Sequence, residues 1–564
     1  MEVLTDPFAF VLKDAIWRNM PVAAPSQHTA VQLIGPDRLE LNHSKPTPKP
    51  GPTQILARVE CVGLCFSDMK LLHQFQSHPR KSPVLAHLAT EVLRDIASYV
   101  PDQQPTVPGH EAVLRVLEMG ADVRSVRIGG RYLVQADFRD LKTANSNGAF
   151  GYNFEGGLQQ YVLLDERVTV AANGDSYLLP VPDDRSASQL ALVEPWACVE
   201  DAFRTVERQS LKTGGTLLVA GAAADLSGLA ITSAKKLWLG ANPPSGFTAV
   251  SALEVPARSI DDLIYVGNDP AAIEALFPLI ANHGLALIAT AGSAFGRPVI
   301  APIGRVHYGN IRISATTSTK PAAALAAIPA TGELRPGDHV NVVGAGGPMG
   351  VMAMVRAIAS SRAGAIVEGG VRNPERATAL RDRVTPFASA RNVHVRLFNP
   401  EAEPPQGPVD YCFLMAPVID LVQQAIRDAA PRGIINVFAG ISAETPVPVD
   451  LDAVAAKHLY FIGTSGSTME DMRVVLGKVI DNSLDTNLSV GAVTGMAGAI
   501  DGLQAVKNRT IAGKIVVYPQ LGDFPLMELD ELVEKFPSIR PTLLNGCWTK
   551  ASEEELLRVA GGAL

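Results

Sequence analysis

The segments 211-LKTGGTLLVAGAAADLSGLAITSAKKL-237 and 334-LRPGDHVNVVGAGGPMGVMAMVRAIAS-360 follow one plan: a polar turn, a short Val/Leu-rich strand, then a glycine-bearing loop. The likeness continues downstream in the same order. The stretch 262-DLIYVGNDPAAIEALFPLIANHGLALIAT parallels 410-DYCFLMAPVIDLVQQAIRDAAPRGIINVFAG, and 307-HYGNIRISATTST parallels 457-KHLYFIGTSGSTM. Apolar runs that alternate between strand and helix periods imply βαβ units and a parallel sheet. A sequence that repeats such a series builds the unit twice. The offset between copies is 123 residues at the first match and 148 at the second, so the first copy is about 25 residues short. The loss is expected where its second and third strands would lie.

Outward from this repeat, the first 200 residues read differently. Short Val-rich runs such as 55-ILARVECVG and 131-RYLVQADF are separated by Gly, Pro and Asn turns, as in irregular β structure. The expected organisation is a β domain over 1–205, a degenerate nucleotide-fold unit over 206–325, and a dinucleotide-binding unit over 326–505. With 47% hydrophobic and 19% charged residues, the 564-residue chain is globular, and its net charge of −8 argues against a nucleic-acid partner. No apolar run is long enough to span a bilayer, and MEVLTDPFAF has no basic region ahead of an apolar core. Five scattered cysteines (61, 65, 198, 412 and 547) make a poor disulfide framework and suit a reducing, cytoplasmic setting with no membrane partner.

Three separated clusters carry the chemistry. In 61-CVGLCFSDMK, Cys65 ends a Val-rich strand and is followed by Ser67 and Asp68. A thiolate there suits Zn²⁺, although a lone cysteine near a serine is more often a packed core residue. In 107-VPGHEA, a Pro-Gly turn presents His110 and Glu111 together. In 193-VEPWACVEDAF, Glu194 stands at a helix start, where a carboxylate also complements the helix dipole, and Cys198 follows one turn on as a ligand or a small buried residue.

In this order the clusters resemble the catalytic zinc site of the medium-chain dehydrogenase/reductase superfamily, in its sorbitol and threonine dehydrogenase branch. That branch carries C-G-S/T-D, G-H-E and E-P elements. The runs 156-GGLQQYVLL and 182-PDDRSASQLALVEP resemble segments it places between and before them. The resemblance implies a GroES-like β domain completed by residues 505–564, reached through 511-IAGKIVVYPQ, followed in space by two tandem Rossmann-like parallel-sheet units, the first abridged: an α/β fold. It implies Cys65 and His110 as ligands of one catalytic zinc, with Glu111 and Glu194 as third ligand or close partners. Ser67 would relay a proton and Asp68 would orient the histidine. The implied reaction is zinc-dependent hydride transfer between a nicotinamide cofactor and a secondary alcohol or ketone of a polyol, sugar or sugar phosphate, in a homodimer or tetramer.

Two departures stand out. No cysteine lies between Glu111 and Cys198, so at most one zinc per chain is expected. The interval from Cys65 to His110 is about twice the family's. Its excess, 74-QFQSHPRKSPVLAHLATEVLRDIASYVPDQQ-104, reads as partly helical over LAHLATEVLRDIASYV, with His73, His78 and His87 as surface residues. That insertion suits a lid or an oligomer contact.

The strand 339-HVNVVG enters Gly344-Ala-Gly346-Gly347-Pro-Met349-Gly350 and then a helix, the setting in which backbone N–H groups meet a pyrophosphate. This GAGGPMG spacing, and the tail 545-NGCWTKASEEELL, are similar to reductases of the L-sorbose 1-phosphate type. The first copy's Gly221-Ala-Ala-Ala-Asp-Leu-Ser-Gly228 lacks the middle glycine and holds an acid, so the cofactor is assigned to the second copy. The first copy is then a structural remnant or a dimerisation surface. NAD or NADP would be chosen after 364-GAIVEGGVRNPERATAL, where Gly370 and Val371 hold the usual acidic position and Arg372 and Arg376 follow; this leans toward NADP or dual use. Gly440 in 440-GISAETP, and 463-GTSGS, fall where the family's nicotinamide-side loops lie. The other readings are a zinc-binding relative with altered chemistry in a biosynthetic pathway, and a silent nucleotide-binding or assembly protein. Retention of Cys65, Ser67, His110 and Glu194 speaks against silence.

Overall fold

The computed structural model describes residues 24–221, 224–240 and 242–561. The N-terminal MEVLTDPFAF and the alanines 222 and 223 of the first-copy loop lie outside the described residues. The chain divides into two compact units, Met1–Glu194 with Leu476–Leu564, and Pro195–Val475. The expected joints at 205/206 and 505 thus differ from the observed ones, and both repeats fall inside one unit.

In the first unit, strand β1 (Gln54–Gly63) is buried along its whole length because it is central to an eight-stranded sheet. It is followed by helix α1 (Phe66–Gln74). Within the 74–104 insertion only α2 (Thr90–Arg94) is α-helical, flanked by 3-10 turns at Phe75–Ser77 and Pro79–Lys81. The longer helix expected there is interrupted at His87, whose φ of 75° no continuing right-handed helix adopts. Strand β2 (Glu111–Met119) pairs antiparallel with β1, placing Glu111 opposite Gly63. Buried Glu60 on β1 receives Arg115 of β2 at 2.6 Å and Arg131 at 2.5 Å, so its charge is compensated on both oxygens. Helix α3 (Val193–Arg204) begins at the end of this segment.

In the second unit, the first copy supplies β3 (Thr216–Ala220), β4 (Lys235–Leu239), β5 (Thr248–Val250), β6 (Ile260–Val266), β7 (Ile280–Ala289), β8 (Val299–Ala301), α4 (Ile303–Tyr308) and β9 (Arg312–Thr316). The second copy supplies β10 (Val340–Val343), α5 (Pro348–Ser360), β11 (Ile366–Gly370), α6 (Pro374–Ser389), β12 (His394–Phe398), β13 (Val409–Leu414), β14 (Ala429–Val437), β15 (Val447–Val449), α7 (Leu451–Lys457) and β16 (Tyr460–Ile462). The two parallel sheets have one order: β5-β4-β3-β6-β7-β9 and β12-β11-β10-β13-β14-β16. Both reverse direction beside the first strand, which is the doubly wound Rossmann arrangement.

The missing residues do not fall on strands, as expected, but on helices. Where the second copy has α5 and α6, the described residues between β3 and β4 and between β4 and β5 contain none. Asp225-Leu-Ser-Gly228 is turn chemistry, and Pro243-Pro244 removes the donors a helix needs. The chain returns to the first unit through β17 (Val490–Thr494) and β18 (Lys514–Val517), and β18 pairs antiparallel with β1. No helix among the described residues is long and apolar enough to cross a membrane.

Candidate metal centre and cofactor loop

The end of β1 decides where the first cluster goes. Gly63 is the last residue of the strand, and a Cβ there would lie 2.0 Å from Glu111 Oε2 across the pair. Only glycine leaves room for that carboxylate. Cys65 then caps α1, which puts Ser67 and Asp68 in the helix's first turn beside it. Two residues before the facing strand β2, Gly109 takes a φ of 91°, open to glycine but strained for other residues, and so turns His110 and Glu111 into the same space. One ligand atom each from Cys65, His110 and Glu111 lies within 4.8 Å of the other two. Three residues drawn from two strand ends therefore meet.

The surrounding contacts orient them. Asp68 accepts from the Cys65 backbone N–H at 3.1 Å and stands 3.1 Å from His110 Nδ1. With Nδ1 engaged by a carboxylate, Nε2 is the nitrogen that faces the cluster. Ser67 Oγ lies 3.3 Å from that Nε2 and donates to Cys65 Sγ at 3.0 Å. Burial opposes charge on His110, yet the Tyr152 phenol and the Asp68 carboxylate outweigh it and hold its pKa well above the ordinary value. Glu194 is not one of the three convergent groups; burial pushes its carboxyl up to about 7, opposed by His110 and reinforced by Glu111.

Two residues here had escaped the sequence reading. Lys514, the first residue of β18, donates to Glu111 Oε1 and to the Leu64 carbonyl, each at 2.6 Å. A single lysine opening a Val-rich strand gives no local sign of this role. Tyr152 packs its ring against His110 at 5.8 Å, and against His78 at 5.1 Å. His78 is thus half-buried rather than a fully exposed surface residue, and burial lowers its pKa to about 4. His73 and His87 are exposed. Cys198 belongs to the second unit and takes no part in the convergent group.

The glycine loop 344–350, the candidate cofactor site, lies at the strand ends where the strand order of the second sheet reverses. Gly344 N and Ala345 N donate to the Gly370 carbonyl at 3.2 and 3.1 Å, which fastens the loop to the end of β11. Gly347 caps α5 and Pro348 opens it, with no side chain capping the helix start. A Cβ at Gly350 would meet Gly344 O at 2.4 Å, and one at Gly346 would meet Val371 at 2.7 Å. Met349 stands in the first turn of α5. Beside the loop, Arg376 reaches Gly346 O at 3.4 Å, and exposed Arg372 pairs with Glu401 at 3.3 Å. Glu368, inside β11, is fully engaged by His339, Arg396 and the Gln406 N–H. Gly440 follows β14, and a Cβ there would sit 2.7 Å from the Tyr308 hydroxyl.

Residues 51–174 match the alcohol dehydrogenase GroES-like domain family. The chain is 29% identical over 185 residues to (R,R)-butanediol dehydrogenase of Bacillus subtilis (strain 168), covering 31% of this chain and 45% of that protein. It is 26% identical over 211 residues to sorbitol dehydrogenase of Gallus gallus, covering 36% and 50%. The chain thus spans about half the length of the curated relatives it matches. In three dimensions it resembles the crystal structure of 2R,3R-butanediol dehydrogenase from Bacillus subtilis, with a TM-score of 0.50 at 16% identity, covering 87% of this chain and 100% of that one. It also resembles a zinc-binding dehydrogenase from Sinorhizobium meliloti 1021 bound to NADP, with a TM-score of 0.50 at 16% identity, covering 88% and 100%. At that identity the likeness speaks for the fold.

Proposed function

We propose that the chain is a zinc-dependent oxidoreductase of the medium-chain dehydrogenase/reductase superfamily, in its sorbitol dehydrogenase-like branch, acting on a secondary alcohol or ketone of a polyol, sugar or sugar phosphate. The observation that carries this reading is the convergence of Cys65, His110 and Glu111. Thiolate, imidazole and carboxylate are the donors Zn²⁺ takes. Glu111 Oε2 is buried with no hydrogen-bond partner, an arrangement that costs free energy until a cation or donor meets it.

Cys65 Sγ, His110 Nε2 and Glu111 would hold the metal, with Glu194 as the carboxylate beside them. When bound, zinc supplies Lewis acidity toward a substrate hydroxyl and the nicotinamide supplies a hydride acceptor. Asp68 fixes the His110 ring and its tautomer. Ser67 Oγ, already in contact with both Cys65 and His110, takes and passes on the hydroxyl proton. Lys514 neutralises one oxygen of Glu111, which lets thiolate and carboxylates share a buried pocket. Gly344, Gly346, Gly347, Met349 and Gly350 would form the pyrophosphate cradle, and Gly440 a wall on the nicotinamide side. With Glu368 occupied inside β11 and Gly370 ending the strand, no acid there repels a 2′-phosphate. Arg372 and Arg376 then favour NADP over NAD. The enzyme would work in the cytoplasm.

The test is metal analysis of the purified chain together with a nicotinamide-absorbance screen across polyols, sugar phosphates and amino-alcohols. About one zinc per chain, and turnover that chelation removes, are expected. A chain that takes up no zinc, or that turns over without it, would sink the reading.

A further inference from the structure

From β6 onward the two copies match at a constant offset of 148 residues: β8 (299–301) corresponds to β15 (447–449). These two strands also pair with each other, antiparallel, as Val299↔Val449, Ile300↔Pro448 and Ala301↔Val447. Ile300 therefore faces its own counterpart, while Val299 faces the counterpart of Ala301 and Ala301 the counterpart of Val299. Such a register arises only where a two-fold axis passes between residues 300 and 448.

The packing around that axis is reciprocal. Helix α7 of the second copy packs on β9 of the first, α4 of the first packs on β16 of the second, and the last strands β9 and β16 lie side by side. Ile303, Val306 and Ile313 share one apolar core with Leu451, Val454 and Phe461. The backbones approach closely: a Cβ at Gly304 would meet Ser442 O at 2.2 Å. At the counterpart of Gly304, Asp452 accepts from the N–H of Phe295 at 2.9 Å and of Gly296 at 3.3 Å.

A self-complementary patch related to its equal by a two-fold axis is how identical subunits associate in a closed dimer. We infer that the first copy is a built-in second subunit: it covers, within one chain, the β15–α7–β16 face through which the second copy would otherwise meet another molecule. Its retained residues explain why an abridged repeat persists. It has lost the helices that follow β3 and β4, yet it keeps β8, α4 and β9, all of which touch the axis. Loss falls on the phosphate side, and retention on the contact side. The inference stands apart from the proposed redox activity.

The test is cross-linking of the full chain. Opposed residues of an antiparallel pair have Cα atoms about 4.5–5.5 Å apart, within disulfide reach. Ile300 N already donates to Glu274 and Pro448 has no N–H, so neither backbone donor is needed for the pair. In Ile300→Cys/Pro448→Cys, mild oxidation should give a 300–448 disulfide at single-chain mass on a non-reducing gel, with no such product from either single change. A disulfide that joins two chains, or the absence of any 300–448 bond, overturns the inference. Arg258→Cys/Glu444→Cys, which replaces an exposed pair 3.1 Å apart, gives a second reading with a short bis-maleimide and the same criteria, should the strand variant not fold.

Discussion

Lys514 Nζ and Glu111 Oε1 stand 2.6 Å apart, both buried, while the other oxygen of the same carboxylate meets no donor. The pair joins β18 to the segment that carries two of the three candidate ligands, His110 and Glu111. Burial opposes the lysine's charge, but Glu111 and Cys65 raise its pKa, so the ammonium persists in the interior. Breaking a buried pair from one side leaves an uncompensated charge, at a cost of about 3–5 kcal/mol. Lys514→Met should therefore lower the unfolding free energy by about that much in chelator-treated protein, and by less with zinc supplied. A denaturation series under both conditions measures the difference.

The ligand and its orienting partner should separate by magnitude. Cys65→Ala should remove bound zinc and turnover while the far-ultraviolet circular dichroism stays native. Asp68→Asn keeps all three ligands and disturbs only the ring's support, for which a loss of about 10–100-fold in metal affinity is expected. Competition with a chelator of known strength gives both values. Equal losses in the two variants would refute the distinction between ligand and support.

The two glycine loops should respond differently to an added carboxylate. Gly346→Asp places bulk against Val371 and charge in the proposed pyrophosphate cradle, so dinucleotide binding should disappear. A Cβ at Gly221 would fall 1.8 Å from the Val266 carbonyl, so Gly221→Asp should lower stability, and its dinucleotide affinity is best compared at a temperature where the chain stays folded. Calorimetric titration of the unmodified chain should give one dinucleotide per chain; two would return the first copy to the list of cofactor sites.

Lys81, buried in the 74–104 insertion, donates to the carbonyls of Val100 and Gln104. Burial lowers its pKa to about 7, opposed by Asp102 and Glu155. Between about pH 7 and the lysine's ordinary value of 10.5, the unfolded chain holds a proton here that the folded chain has released. Stability from this group therefore rises with pH across that window and is flat below it. Relative to Lys81→Met, the unmodified chain should gain stability as pH climbs from 7 toward 10. A constant difference, followed by denaturant midpoints, would contradict the assignment.

Much of this was legible in the chain itself. Two runs of strand and helix periods in the same order specified two parallel sheets, because alternation and apolar spacing are local properties of a backbone. The glycines at 344, 346, 347 and 350 marked the loop for the same reason. The abridgement was misplaced on strands, since a count of missing residues does not say which elements vanish; Pro243 and Pro244 and the turn chemistry of 225–228 put it on the helices. The insertion's apolar spacing suggested a longer helix than the break at His87 allows.

Sequence alone determined the repeat, whose recurrence is written in Val, Ile and Leu, and it put Cys65, His110 and Glu111 among the candidate ligands. Only the tertiary structure decided that these three share one pocket, that Lys514 balances it from 403 residues away, and that Ile300 meets its own counterpart at Pro448. The reason is physical: periodicity is set by neighbours along the chain, whereas convergence and symmetry depend on strand register, which distant segments settle through packing.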